Sequence, residues 1–347
     1  MSAVGDSTPA RDGVDVEPGD AGAAAAEQAD NSATASARWP GNDKPYRITM
    51  GMRPCAEADW LLRGPAAAEA IAEKQQVLAD HHQQACVVTT AGDAAAREAA
   101  AMIATALGVD LVSVQLFDSY AAGAGDGVIE SADSSLTAHT AHSSLMHPLE
   151  AAARLVAEDL VVMSPAEPQS PAESEYVLTA AVLCAPSRWD LHEKVGRTMR
   201  EIHGPVPDYD TIAGATDRFF TRLADGDIIE RTNWTVLDNP TGFQPAPGPS
   251  WDVTVADVAD EELLQHLWLR LERQTLRRLP HSGSVLFTIL TQCTRLDEVA
   301  QLGEHVTRQL AMWVSTTGQD VRSYRGWGAQ APRVAAALEA ACSSSDH

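Results

Sequence analysis

Residues 268–293 constrain the fold of this chain more than any other stretch. "WLRLERQTLRRLP" ends in a Pro-His-Ser-Gly turn, and "SVLFTILTQC" follows. Read as a strand, Leu267, Leu269 and Leu271 share one face, with Trp268, Arg270, Glu272 and Gln274 on the other. Read as a helix, Leu264, Leu267, Leu271 and Thr275 form one stripe, and propensity favours that reading. The turn holding Gly283 and the apolar, β-branched segment after it favour a β-hairpin. Composition leaves both open. In either case Glu272 stands alone among Arg270, Arg273, Arg277 and Arg278. It is either half of a solvated ion pair or a working carboxylate.

The charge balance narrows the function. The 347 residues hold 25 Lys and Arg against 48 Asp and Glu, a formal charge of −23. Such a surface repels phosphate backbones and anionic lipid, which argues against nucleic-acid and membrane-surface roles. It suits a cationic ligand or a basic partner, and solubility explains it equally well. The five cysteines are scattered and no CxxC occurs, so a zinc ribbon, a thioredoxin-type site and covalent haem attachment are not signalled. Free thiols, no secretory pattern at the N-terminus and no apolar run of the ~18 residues a membrane helix needs make the cytoplasm the expected location.

Residues 1–38 are mostly Ala, Gly, Asp and Ser and are expected to be a disordered acidic tail, because they offer little surface to bury. Residues 39–347 are expected to form a single domain with a mobile Gly/Ser/Ala-rich loop at about 118–146. Within it, "ADWLLRGPAAAEAIAEKQQVLADHH" and "DAAAREAAAMIATALG" predict helices, and "VDLVSVQLF" a strand or buried segment. "HPLEAAARLVAEDLVVM" predicts a helix running into a strand, and "YVLTAAVLCAP" a buried strand. "DLHEKVGRTMREIHGPVPDY" predicts a helix stopped by Gly204 and Pro205, and "TDRFFTRLADG" a short one capped by Thr216. "DIIERTNWTVLD" predicts a strand.

Nucleotide motifs are missing. "GAGDGV" fails the GxGxxG spacing, and neither a Walker A motif nor a GxSxG elbow occurs, so redox chemistry would draw electrons from elsewhere. His139, His142 and His147 lie close together without a neighbouring carboxylate, and His147 before Pro148 reads first as a helix start. His203 closes a helix before "GPVP". The prolines fix where its ring points, as an axial metal ligand requires. A histidine complementing a helix C-terminus is the plainer reading. Arg231 in "ERTNW" and Glu272 are charged groups in strand-like segments. Each must face water, a partner or a ligand, because isolated burial costs several kcal/mol.

Taken in order, "MGMRP", "HPLEAAARLVAEDLVVM", "APSRWDLHEKVGRTMREIHGPVPDY", "DRFF", "RTNW" and "WLRLERQTLRRLPHSGSVLFTI" resemble the haem-dependent oxidative N-demethylase family over roughly residues 46–326. The resemblance implies an α+β, PAS-like antiparallel sheet with helices packed on one side and a haem pocket between sheet and helices. It makes 268–290 a hairpin. It implies noncovalent haem b, dioxygen, and a small secondary amine such as dimethylamine that loses a methyl group as formaldehyde. Electrons would come from NADPH through flavin and iron–sulfur partner proteins. It implies His203 as the proximal haem ligand with His147 in reserve, Arg231 against bound dioxygen, and Glu272 against the amine. Arg273 and Arg277 become candidates for contacts with the haem propionates. This chain has Leu290, Thr291, Gln292 and Cys293 where the family usually has Arg, Thr and an aromatic residue, and a substrate of a different size from dimethylamine is the expectation if this strand end lines the pocket. A haem-binding sensor or carrier without turnover is the alternative, and a nonenzymatic module with a basic partner a third reading.

Overall fold

The computed structural model describes residues 39–40, 44–110, 146–168, 174–246 and 251–344. The expected tail, the loop at about 118–146 and most of "VDLVSVQLF" lie outside the described residues.

The hairpin reading holds. Strands β6 (Trp268–Arg278) and β7 (Val285–Arg295) pair antiparallel without a slip, from Trp268↔Arg295 to Arg278↔Val285. Leu279 N–H donates to the Ser284 carbonyl at 2.8 Å, and Gly283 turns the chain at φ +67°. β6 also pairs along its other edge with β5 (Ile228–Leu237), from Ile228↔Arg277 to Leu237↔Trp268. Ladders on both edges override the helix propensity of the segment.

The described strands form one antiparallel sheet of seven in the order β1-β5-β6-β7-β3-β4-β2. The remaining strands are β1 (Arg53–Pro54), β2 (Cys86–Val88), β3 (Asp159–Pro165) and β4 (Tyr176–Val182). Together with the helices this makes an α+β fold.

Period-two alternation gives the sheet two distinct faces. On the first, Leu160, Val162, Ala180, Val182 and Leu286 pack against α1 (Pro65–Ala85), α2 (Asp93–Leu107) and α3 (Pro148–Ala153). Small residues Ala95, Ala96, Ala99 and Ala100 let α2 approach closely. Further along that face, Trp234, Val236 and Leu269 pack in one cluster with α6 (Leu296–Gln301), α7 (Glu304–Thr316) and α8 (Ala331–Ser344), with Trp327 wholly buried. On the second face, Val161, Met163, Leu178, Leu276 and Val285 pack with residues of α4 (Met199–His203) and α5 (Asp210–Arg222). Helices therefore cover both faces, where one covered side was expected.

Two helix expectations are corrected. The segment 190–203 is helical only from Met199, because Gly196 takes φ +76° and Thr198 then starts a capping box with Glu201. α5 begins at Asp210, so Thr216 is internal; its hydroxyl donates back to the Ile212 carbonyl instead of capping. Gly108 ends α2 in the left-handed conformation as expected.

Candidate functional site

The sheet register decides which charged side chains meet. Arg231 pairs with Gln274, and Asn233 pairs with Glu272. Alternation therefore puts Arg231, Asn233, Arg270, Glu272 and Gln274 on one face, the one covered by α4 and α5. Ile289 of β7 pairs with Gln274 on the same face.

These side chains form a continuous polar wall. Arg231 Nη1 donates to Gln274 Oε1 at 3.2 Å, and Gln274 Nε2 donates to Glu272 Oε2 at 3.1 Å. Asn233 Nδ2 reaches the same Glu272 oxygen at 3.3 Å. Arg270, with no exposed surface, pairs with Glu272 Oε1 at 2.9 Å. It also donates to the Gly242 and Ala185 carbonyls and to Thr291 Oγ1. Arg270 thus balances the carboxylate charge from within the sheet.

Arg231 Nε is buried with no hydrogen-bond partner. Burial works to lower the Arg231 pKa, and the Glu272 carboxylate opposes it. Leaving a buried guanidinium donor unmet costs about 1–3 kcal/mol, so the atom points to a missing acceptor.

His203 ends α4. Its Nδ1 donates to the Met199 carbonyl at 2.9 Å, and its ring stacks on Tyr209 at 4.7 Å and 12°. Burial pushes the imidazole pKa down; the Met199 carbonyl opposes this and the Arg231 charge adds to it. The ring is therefore neutral near pH 7, and with Nδ1 protonated the Nε2 lone pair is available.

The other expected residues lie elsewhere. His147 caps α3, accepting from Leu149 N–H at Nδ1 (3.0 Å), while Nε2 meets Asp93 at 3.1 Å. Both ring nitrogens are engaged, on the sheet face opposite Arg231. Arg273 and Arg277 also face away from Glu272, because odd and even residues of a strand take opposite sides. Arg273 pairs with Glu230 at 2.8 Å and donates to the Trp60 carbonyl. Arg277 pairs with Glu57 at 2.8 Å and lies over the Trp60 ring. Neither contributes to the wall.

Asn233, Gln274 and Arg270 were not singled out from the sequence. The signal was there in the strand reading, which puts Arg270, Glu272 and Gln274 on one face. Tyr209 and Arg325 carried no such signal. Half-buried Arg325 lies among the rings of Tyr46, Trp234 and Trp327, at 5.1, 5.0 and 5.2 Å, with Nη1 unpartnered. A separate hollow of about 210 Å³ beside Tyr176, Met199, Asp217 and Phe220 includes none of the wall residues.

The protein is an α+β sheet bearing a half-buried Arg231–Gln274–Glu272 wall, with His203 in the helix layer above it. A sequence model described as haem-dependent oxidative N-demethylase, alpha subunit-like, matches residues 51–335. The chain belongs to that family. It is accordingly an oxidoreductase-family protein whose chemistry depends on haem. Among the described residues, no helix is long and apolar enough to cross a membrane.

Proposed function

We propose that this chain is the haem-binding subunit of an oxidative N-demethylase acting on a small secondary amine of the dimethylamine type. The observation that carries the reading is the Arg231–Gln274–Glu272 wall together with the free Nε2 of a neutral His203. The residues fit haem b. The face holding Arg231 also presents half-buried Ile229, Phe287 and Ile289 near Met199 and Ile202, an apolar lining for a macrocycle. A PAS-like arrangement, with the cofactor between sheet and helices, is consistent with this layer.

When bound, the haem supplies the redox iron for oxidation of an N-methyl group by dioxygen. His203 would hold the haem iron through Nε2, its ring kept in place by the Met199 carbonyl and by Tyr209. Arg231 aims its unmet Nε–H at negative charge that develops during the reaction. Glu272 receives the amine. It already accepts from Arg270, Asn233 and Gln274, and a carboxylate has about four acceptor sites, so room remains for one ammonium N–H. Holding the nitrogen fixes where the methyl group points, which converts binding into orientation.

Each turnover consumes dioxygen, two electrons and two protons, and releases formaldehyde, water and the shorter amine. Partner proteins carrying flavin and iron–sulfur centres would deliver electrons from NADPH. The test is formaldehyde release from dimethylamine by the purified protein with an electron supply. A Soret band that shifts with dimethylamine, followed by stoichiometric formaldehyde, is expected. Haem binding with no formaldehyde under any reductant would instead make the chain a sensor or carrier.

A further inference from the structure

A second cluster lies on the other face of the sheet. His82 sits in the last turn of α1, just past the kink at His81. Cys86 ends that helix and begins β2, and Glu150 lies in the first turn of α3. One nitrogen, one sulfur and one oxygen donor from these three side chains all lie within 4.8 Å of one another.

The carboxylate is oriented for this. Arg154 Nε and Nη2 both donate to Glu150 Oε1, at 3.1 and 2.8 Å. Oε2 is left facing His82 Nε2 at 2.9 Å. A His–Glu hydrogen bond alone would explain that contact, but not the thiol sulfur lying within 4.8 Å of both. Imidazole, thiolate and carboxylate together are a zinc-class donor set, and three protein ligands leave a fourth position for water. The His82 side chain is 51% exposed, which opens a path from solvent. Ligand atoms around such an ion stand roughly 3.5 Å apart at bond lengths of 2.0–2.3 Å, so small side-chain rotations suffice.

We propose that His82, Cys86 and Glu150 form a binding site for a divalent zinc-class cation. The Cys86 thiol gives up its proton to solvent as the sulfur–metal bond forms, and thiolate and carboxylate then neutralise the dication. Arg154 is the outer partner that holds the carboxylate. The ion would clip the α1–β2 junction to α3. The proposal does not rest on the demethylase reading, and its test reads metal and stability, not turnover.

The full-length protein, as purified and then stripped with a chelator, is titrated with Zn²⁺ by equilibrium dialysis and elemental analysis. One zinc per chain, beyond any iron, is expected to saturate and to raise Tm. Cys86→Ser and His82→Gln should each weaken binding at least tenfold and abolish the Tm rise. Cys342→Ser should change neither. If Cys86→Ser does not fold, the exposed His82→Gln decides alone. The absence of a saturable site in the unaltered chain overturns the proposal. So does unchanged affinity in both variants, which would place the zinc elsewhere.

Discussion

Arg231 reaches Glu272 through a single amide. Gln274 accepts from Arg231 Nη1 at 3.2 Å and donates to Glu272 Oε2 at 3.1 Å. The two charged groups stand side by side on one wall, not opposed across a gap. Gln274 bridges them, Arg270 takes the other Glu272 oxygen, and Arg231 Nε is left without a partner.

Glu272→Gln should retain haem and lose amine affinity. A hydrogen bond to a charged group is worth about 1.5–3 kcal/mol, or roughly ten- to a hundredfold in Kd. Titrating the Soret band with dimethylamine measures it. Unchanged affinity would return Glu272 to a structural partner of Arg270.

Arg231→Met should leave haem content intact and lower turnover by about a hundredfold, the usual loss when one donor to developing charge is removed. Formaldehyde release per haem is the measurement. Equal turnover would remove Arg231 from the chemistry.

His203→Ala should abolish the native Soret band or shift it strongly. Added imidazole should restore it, because the cavity left by the ring admits a free ligand. A spectrum identical to the parent's would show that another residue ligates the iron.

Glu230→Gln tests a structural pair. Burial works to raise the Glu230 pKa, but hydrogen bonds and charge from Arg53 and Arg273 outweigh it, and the net value lies below normal. The folded state therefore binds this proton less readily than the unfolded chain. The stabilisation is present above the unfolded value of about 4.3 and is lost as pH falls through the lower, folded one. The variant should have a lower Tm at pH 7, by about 3 kcal/mol of stability, and a shallower decline below pH 4. Thermal melts across that range check both.

Gly92→Ala should destabilise the fold without touching the wall. A Cβ at Gly92 would stand 2.6 Å from the Thr179 carbonyl oxygen, so β4 and the start of α2 must separate. Overpacking of this kind costs about 1–3 kcal/mol. Denaturant melts should show it while the Soret band stays unchanged.

Much of this site was legible in the sequence. Arg231 and Glu272 stood out as charges in strand-forming segments, and they do share a wall. His203 stood out because prolines follow it, and its ring is held in place. Arg273 and Arg277, which flank Glu272 along the chain, were candidates for contacts with the haem propionates. In a strand, an odd separation sends side chains to opposite faces, and theirs meet Glu230 and Glu57. The 190–203 helix was over-read because its charges fit a helix, while Gly196 alone does not announce a left-handed turn.

The sequence by itself determined the strand character of "DIIERTNWTVLD" and "SVLFTILTQC", the family and the principal charged residues. Local alternation and motif order are properties of the chain alone. Tertiary structure decided that 268–278 is a strand, because β5 and β7 saturate both its edges with ladder bonds that no local propensity encodes. It also decided that Gln274 joins Arg231 to Glu272. That contact depends on the register between β5 and β6, set where two separate stretches of chain pair.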